Sequence, residues 1–490
     1  MQNKVNNTIP KGPRECVSLF RLSYCPNRLK KIVSILLLFC FPVILAAGQD
    51  LDVSSVETYP WASSIPVSDR YAVSVQGVVQ HVIPTEEPHL CTFGCPDTVE
   101  VVISLPDAKI RRAVVRPLHK KASYTVRSGK LLLKMAPFDQ FVVELNGKEE
   151  HPLFLFANPP EQKPPRDSCA FYFEAGTVTD TTLLVDAGRV YIEGGAWVNG
   201  FLHVFGAKDV EVGGYGILNN TVKERPFFIK NSSRVCVDGL LLINRDYWST
   251  LAVESSDLAF SNYKVVAPAS SNAHGHENDA LDILGCQGVR IRKCFTYCHD
   301  DALCIKSQKW NYAAPVRDIV CEDCTIWNYH NGSGIEVGWE TNQDCSDVHF
   351  KNIWCIRSGG DMTPEMGRAG ISVKHCAGGH LSDFTFENIY VEDALEYGIY
   401  FGIYKSTANI GNKVEWKPGT LDGFRFRNIH IDGPAPYGSA SVGYDGSHAV
   451  KGVRFEGLYR NGKAVGRDPS RFFRIYKDSE ITILPITKDY

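Results

Sequence analysis

The residues of this chain best suited to chemistry lie in ENDALDILGCQGVRIRKCFTYCHDDALCIKS, residues 277 to 307, where Asp279, Asp282, Asp300 and Asp301 interrupt two short apolar segments. Asp279 precedes the Asp300–Asp301 pair by 21 and 22 residues. In a protein whose strands stack as parallel rungs about 4.8 Å apart, that spacing lays the three carboxyls over one another. Like charges this close raise one another's pKa values, so one carboxyl stays protonated while another is ionised, the condition for a paired general acid and base. An inverting glycosidase needs the two groups about 6.5–9.5 Å apart to admit a water, and a two-rung cluster is expected to supply that separation. The same carboxylates can instead bind calcium or cap strand turns, and for Asp282, half a turn further on, holding a rung corner is the expectation. His274 and His276 in AHGHEND lack a matching third ligand and are read as solvent-exposed. His299 is read as packing its rung.

The aspartates therefore require a stacked scaffold. From Val190 onward a phrase recurs: a polar residue or Gly, an apolar residue, a few alternating positions, then an Asn- or Gly-containing corner. It reads KDVEVGGYGIL, SRVCVDGLLLIN, SDLAFSNYKVV, QGVRIRKCFTY, RDIVCEDCTIW, SDVHFKNIWCI, SDFTFENIYVE and DGFRFRNIHID, with first core residues at 210, 235, 258, 289, 319, 348, 384 and 424. Self-similarity at this period marks a solenoid, and alternation without helical periodicity makes its units strands. The expected fold is all-β: a right-handed parallel β-helix over 166–490. Residues 49–165 read instead as a small antiparallel β-sandwich, because VSVQGVVQHVI, DTVEVVISL, AVVRPL, LLLKMA, FVVELNG and LFLFANP are strand-like runs at roughly ten-residue spacing. PPEQKPP, residues 159 to 165, marks the boundary. The sandwich is expected to cap the first turn of the solenoid.

Residues 1–48 are read as an N-terminal extension plus signal peptide. Arg28, Lys30 and Lys31 precede the apolar run Ile32 to Ala47, which closes on Ala46, Ala47 and Gly48. The run is shorter than the roughly 20 residues of a membrane span, so a secreted or periplasmic product is expected, with no membrane association after cleavage. No folded role is assigned to residues 1–29. The formal net charge of -3 and the absence of a long basic run exclude nucleic acid as a partner. Thirteen cysteines follow residue 50. Most, such as Cys286, Cys294, Cys304, Cys355 and Cys376, fall at inward strand positions and are read as core residues. Cys91 with Cys95, and Cys321 with Cys324, are the candidates for local bridges.

RPFFIKNSSRVCVDGLLLINRDYWSTL, then ENDALDI and HDDALCIKS, resemble the motif series of the polygalacturonase family, glycoside hydrolase family 28, with Trp248, Asn278, Asp279, Asp282, Asp300, Asp301 and Lys306 in register. LFLFANPP, RVYIEGGAWVNG and CTIWNYHNGSGIEVGWE are more similar to the dextranase and isopullulanase family, glycoside hydrolase family 49, of the same clan. The resemblance implies inverting hydrolysis of polysaccharide or oligosaccharide α-glycosidic bonds by a monomer, without metal or cofactor. Asp300 would be the general acid, and Asp279 and Asp301 would position and deprotonate the attacking water. Candidate substrate-binding residues are Trp248, Asn278, Lys306, His330, Trp339 and Lys374, with Trp310 and Tyr329 as further aromatic platforms. The pectin-cutting relatives carry Gly-His-Gly and Arg-Ile-Lys motifs; here these align with Gly332, Ser333 and Gly334, with His330 displaced, and with Ser372, Val373 and Lys374. The missing arginine tilts the expectation to a neutral, dextran- or pullulan-like glycan, with a pectin hydrolase as the alternative. A calcium-dependent lyase and a non-catalytic carbohydrate-binding solenoid are the other classes.

Overall fold

The computed structural model describes residues 56–222, 224–245, 247–268, 277–329, 331–360, 367–405, 416–476 and 478–486. The expected signal segment, His274, His276 and His330 lie outside these residues.

Two sheets face each other between Glu57 and Asn158. One contains Glu57–Thr58, Val82–Pro84, His89–Gly94, Ala113–Arg116, Gln140–Leu145 and Lys148–Asn158; the other contains Ala72–Val75, Val78–Gln80, Val99–Ser104, Tyr124–Arg127 and Lys130–Met135. Alternating residues of both, among them Val73, Val101, Leu133, Phe141, Val143 and Leu155, close a common core, the packing of a β-sandwich. All but one of its strand pairings are antiparallel; Lys148–Asn158 runs parallel to His89–Gly94.

The remaining strands, Phe171–Phe173 to Ser479–Leu484, coil into a right-handed parallel β-helix. In its middle each turn contributes three strands that stack on their equivalents one turn later. An outer column runs through Lys208–Gly213, Ser233–Asp238, Ser256–Ser261, Gln287–Arg292 and Val316–Glu322. A seam column runs through Ile217–Asn219, Leu241–Ile243, Lys264–Val266, Phe295–Cys298 and Thr325–Asn328. A site column runs through Phe227–Lys230, Thr250–Val253, Leu281–Leu284, Leu303–Lys306, Ile335–Trp339, Ala369–His375 and Tyr397–Ile403. From Cys345–Cys355 onward the outer and seam strands merge into single long strands.

The repeat phrase marks this register residue for residue: Val210, Val235, Leu258, Val289, Ile319, Val348, Phe384 and Phe424 pair in succession. The residue before each, Asp209, Arg234, Asp257, Gly288, Asp318, Asp347, Asp383 and Gly423, has φ between 53° and 72°. Asp and Gly tolerate that left-handed corner, which explains the polar-or-Gly position of the phrase. Inside the coil, Phe350, Phe386, Phe426 and Phe455 stack with ring centroids 5.0, 4.5 and 4.4 Å apart, each buried ring contributing about 1.5–3 kcal/mol.

The sandwich does not cap the first turn. It lies along the seam column, where Ile83, Leu90, Val142, Phe154 and Phe156 pack on Leu241, Ile243, Val266, Phe295, Tyr297 and Trp327. The physical reason is legible in LFLFANP: its strand is apolar on both faces, so the face turned away from the sandwich core needs a second apolar surface. The expected bridges are also absent. Cys91, Cys95, Cys321 and Cys324 are free and buried. Four residues of extended strand span about 13 Å, too far for Cys91 to reach Cys95 within bridging geometry. Cys321 and Cys324 are separated by the left-handed corner at Asp323.

Candidate active site

The site forms where the seam column turns into the site column. Leu281 pairs with Leu303 and Leu303 with Ile335, so Asp279 and Asp301, each two residues earlier, occupy equivalent corners of adjacent turns. The backbone closes that corner: Ala280 N–H donates to Asp301 O at 2.9 Å and Ala302 N–H to Ser333 O at 3.0 Å. Each of Asp279, Asp300 and Asp301 offers an oxygen within 4.8 Å of the other two. The cluster is tighter than the sequence spacing suggested, because two of its members are consecutive residues and the third lies one rung away.

Asp279 and Asp301 are buried, at 2% and 5% exposure, whereas Asp300 is half-buried. All three line a cavity of about 450 Å³ with Tyr247, Trp248, Lys306, Lys309, Asn331, Trp339, Arg368 and Lys374. Asp300 accepts hydrogen bonds from Asp301 N–H at 2.9 Å and from Asn331 Nδ2 at 2.7 Å. Asp301 accepts from Ser333 N–H at 2.8 Å. Its covered position, and then the charge on Asp301, push the Asp300 carboxyl well above the ordinary carboxylate range. Burial, followed by Asp282 and Asp300, does the same to Asp279. Protonated, Asp300 is an acid with its oxygen edge toward the cavity.

The counter-charge comes from the protein. Lys306 Nζ lies 3.1 Å from Asp279 Oδ2, 2.7 Å from Asp282 Oδ1 and 3.8 Å from Asp301 Oδ2. Burial pulls its ammonium down, but Asp282, Cys304 and Asp279 outweigh that and hold it well above its usual value. Calcium is bound by six to eight oxygens. Here an ammonium already stands among the carboxylates, so the donor set does not fit a calcium centre. Asp282 therefore braces Lys306 rather than a rung corner; burial raises its own carboxyl to about 6. The arrangement repeats two turns later, where Lys374 Nζ lies 3.1 Å from Glu336 Oε2 and burial pushes Glu336 up to about 7. The residues in register with Asp282 are Cys304, Glu336 and Ser372, so one column carries acids and the position two residues on carries Lys306 and Lys374.

Of the expected substrate contacts, Trp248, Lys306, Trp339 and Lys374 line the cavity, and Asn278 does not. Asn278 is buried, its amide donating to Ala267 O and Pro268 O and accepting from His299 N–H, so it ties the chain together beneath the pair. Trp248 is not solvent-facing: it is 6% exposed and clamped under Lys306, whose Nζ is 4.3 Å from the ring centre. Trp339 stacks on Tyr404 with Lys374 4.8 Å from its ring. Trp310 is exposed and packs on Trp248, and Tyr329 lines a different cavity, at the seam. His299 packs its rung and hydrogen-bonds Glu87 of the sandwich at 2.8 Å.

Sequence reasoning missed Asn331, Lys309, Glu336 and Arg368. Glu336 had a signal, since it shares the rung phase of Asp282. Arg368 had none: it precedes Ala369–His375 and reaches the cavity from outside the motif. Its guanidinium is 3.7 Å from Glu396. The groove thus contains an arginine, and the argument for a neutral glycan loses its premise. Gly332, in the Gly-Ser-Gly segment, has φ 63°, and a Cβ there would fall 2.4 Å from Asp301 N and 2.5 Å from Asp300 Oδ1.

Residues 190–422 match the family model of glycosyl hydrolases family 28. Probable exopolygalacturonase B from Neosartorya fischeri is 22% identical over 283 residues, covering 47% of this chain and 60% of that protein. Its namesake in Aspergillus fumigatus is 24% identical with the same coverage. The chain therefore matches these relatives over about three fifths of their length. Among solved structures, Dex49A from Penicillium minioluteum superposes with a TM-score of 0.60 at 14% identity, covering 87% of this chain and 96% of that one, a likeness of fold. With its aspartate corner built on this coil, the chain is similar over residues 190–422 to glycosyl hydrolases family 28 and shares the parallel β-helix fold.

Proposed function

We propose that the chain hydrolyses glycosidic bonds in a uronate-containing, pectin-type polysaccharide. The observation that carries this is the composition of the cavity: a protonatable Asp300 beside Asp279 and Asp301, with Glu277 and Glu340 also in the lining, rimmed by Lys306, Lys309, Arg368 and Lys374. Arginine and lysine side chains are the natural partners of a sugar carboxylate, whereas a neutral glucan has no use for such a rim. The names of the curated relatives agree with this reading.

Asp300 donates its proton to the glycosidic oxygen as the bond breaks, and the aglycone leaves as an alcohol. Asp279 and Asp301 orient a water and accept its proton as it attacks the anomeric carbon. Inversion rests on the resemblance to family 28, since these oxygens, within 4.8 Å of one another, are closer than the usual inverting separation of about 6.5–9.5 Å. Lys306 supplies a counter-charge beside Asp279 and Asp301, while Asp300, without a contact that short, retains its proton. Arg368 and Lys374 hold the uronate carboxylate. No helix among the described residues is long and apolar enough to cross a membrane, and the apolar run at 32–47 serves as the signal for secretion.

The deciding assay is release of reducing ends by the 49–490 form from polygalacturonan, rhamnogalacturonan, dextran and pullulan, with proton NMR of the first anomer formed. Cleavage of a uronate polymer, lost in Asp300→Asn, is expected. Arg368→Gln is expected to raise KM for that polymer about tenfold, the loss of one charge-assisted contact. Cleavage of dextran alone, with Arg368→Gln unaffected, would overturn the substrate assignment.

A further inference from the structure

Far along the seam from the aspartates, the sandwich and the solenoid bring together three side chains that the proposed reaction does not use. His119 belongs to the short turn Leu118–Lys120 of the sandwich; His430 and Asp432 end the long solenoid strand Thr420–Asp432. One ligand atom from each lies within 4.8 Å of the other two. His119 Nε2 is 2.7 Å from Asp432 Oδ2, and the two imidazoles are tilted by 54° with ring centres 5.1 Å apart. The side chains of His119 and Asp432 are about one-quarter exposed, at 25% and 26%, so an ion has a way in.

The state of His430 follows from a chain of hydrogen bonds. Asp323 can only accept from an amide when ionised, and it takes Asn352 Nδ2 at 2.8 Å. That fixes Asn352 Oδ1 as the acceptor for Asn388 Nδ2 at 2.9 Å, and Asn388 Oδ1 as the acceptor for Asn428 Nδ2 at 2.8 Å. Asn428 therefore presents its oxygen to His430 Nε2 at 2.9 Å, and the ring nitrogen there must be the donor. In the neutral ring the lone pair is then on Nδ1, which is buried and has no hydrogen-bond partner. An imidazole with one N–H held by an amide oxygen and its other nitrogen bare is the arrangement of a metal-binding histidine.

We propose that His119, His430 and Asp432 bind one divalent transition-metal ion that clamps the sandwich to the solenoid. Two imidazoles and a carboxylate suit zinc and not calcium or magnesium, which take oxygen, and water completes a four-coordinate site. Ligand atoms about 2.0–2.2 Å from zinc sit roughly 3.3 Å apart, so His119 Nε2 and Asp432 Oδ2, 2.7 Å apart, open slightly to admit the ion. The role is structural and independent of the proposed hydrolysis.

The test uses the 49–490 protein stripped with EDTA and titrated with cobalt(II), whose visible absorption reports low-coordinate nitrogen and oxygen ligation, and separately with zinc while the melting temperature is followed. One cobalt per chain is expected, with a zinc-dependent rise in melting temperature of about 3 °C at saturation. His430→Gln and Asp432→Asn should abolish the cobalt spectrum. Asn428→Leu, which frees the histidine tautomer, should weaken cobalt binding about tenfold. Circular dichroism of each variant in EDTA separates loss of metal from loss of fold. No stoichiometric cobalt, or cobalt bound equally by the folded His430→Gln variant, overturns the proposal.

Discussion

Two buried charge clusters in this protein look alike by composition and differ in balance. At the seam, Arg116 meets Glu144 at 3.2 Å, Glu392 at 3.2 Å and Asp393 at 2.8 Å, and Arg357 meets Glu144 at 2.7 Å. At the corner, Asp279, Asp282 and Asp301 share the ammonium of Lys306 at close range, and Asp300 stands beside them without such a contact. Guanidinium groups at the seam answer several acceptors in a planar fork, which locks two bodies together. The corner carries more carboxyls than Lys306 can pair, and burial, then the charge on Asp301, holds a proton on Asp300. Charge that is fully paired builds structure, and charge left short of partners does chemistry.

The largest expected effect tests the corner. Asp300→Asn removes the acid proton and should lower kcat about 10³-fold, while the melting temperature stays level because a neutral amide replaces a neutral acid. Equal loss of stability and activity would break the contrast with the seam. Arg116→Met should do the reverse, leaving Glu392 and Asp393 without their cation and Glu144 with Arg357 alone, and costing about 3–5 kcal/mol of stability. Denaturant unfolding measures that cost, and kcat per folded molecule should stay within about twofold. Gly332→Ala sharpens the comparison from the backbone. Left-handed strain of about 1–3 kcal/mol is expected to appear as displacement of Asp300, so activity falls about 100-fold and stability only modestly.

The smallest effect is in the pH dependence. Asp282 and Glu336 are raised from 3.8 to about 6 and from 4.5 to about 7. A carboxyl that binds its proton more tightly folded than unfolded contributes stability below its unfolded pKa and loses it as pH rises through the folded one. Stability should therefore decline between about pH 4 and pH 7, and activity should fall on the alkaline side as Asp300 ionises. A melting temperature that rises steadily over that interval would contradict the burial assigned to both groups.

Much of the coil was legible in the sequence. The eight repeat phrases were aligned in the register that the strands adopt, because the left-handed Asp or Gly and the inward apolar residue are local demands that each turn makes of its own sequence. The aspartate corner was legible for the same reason, since a rung of about 22 residues converts sequence distance directly into stacking. Glu336 was readable in principle from its phase. Arg368, Asn331 and Lys309 were not, because loop residues have no rung phase and reach the cavity by conformations that no periodicity encodes.

The sequence by itself determined the period, the register, the inward residues and the stacking of Asp279 beneath Asp301. Only the tertiary structure decided where the sandwich sits, which cations rim the groove, and that His119 meets Asp432 across 313 residues of chain. The difference is physical. Solenoid contacts join each turn to the next and are written in a repeating local code, whereas the seam is a match between two finished surfaces, and complementarity of surfaces exists only after both have folded.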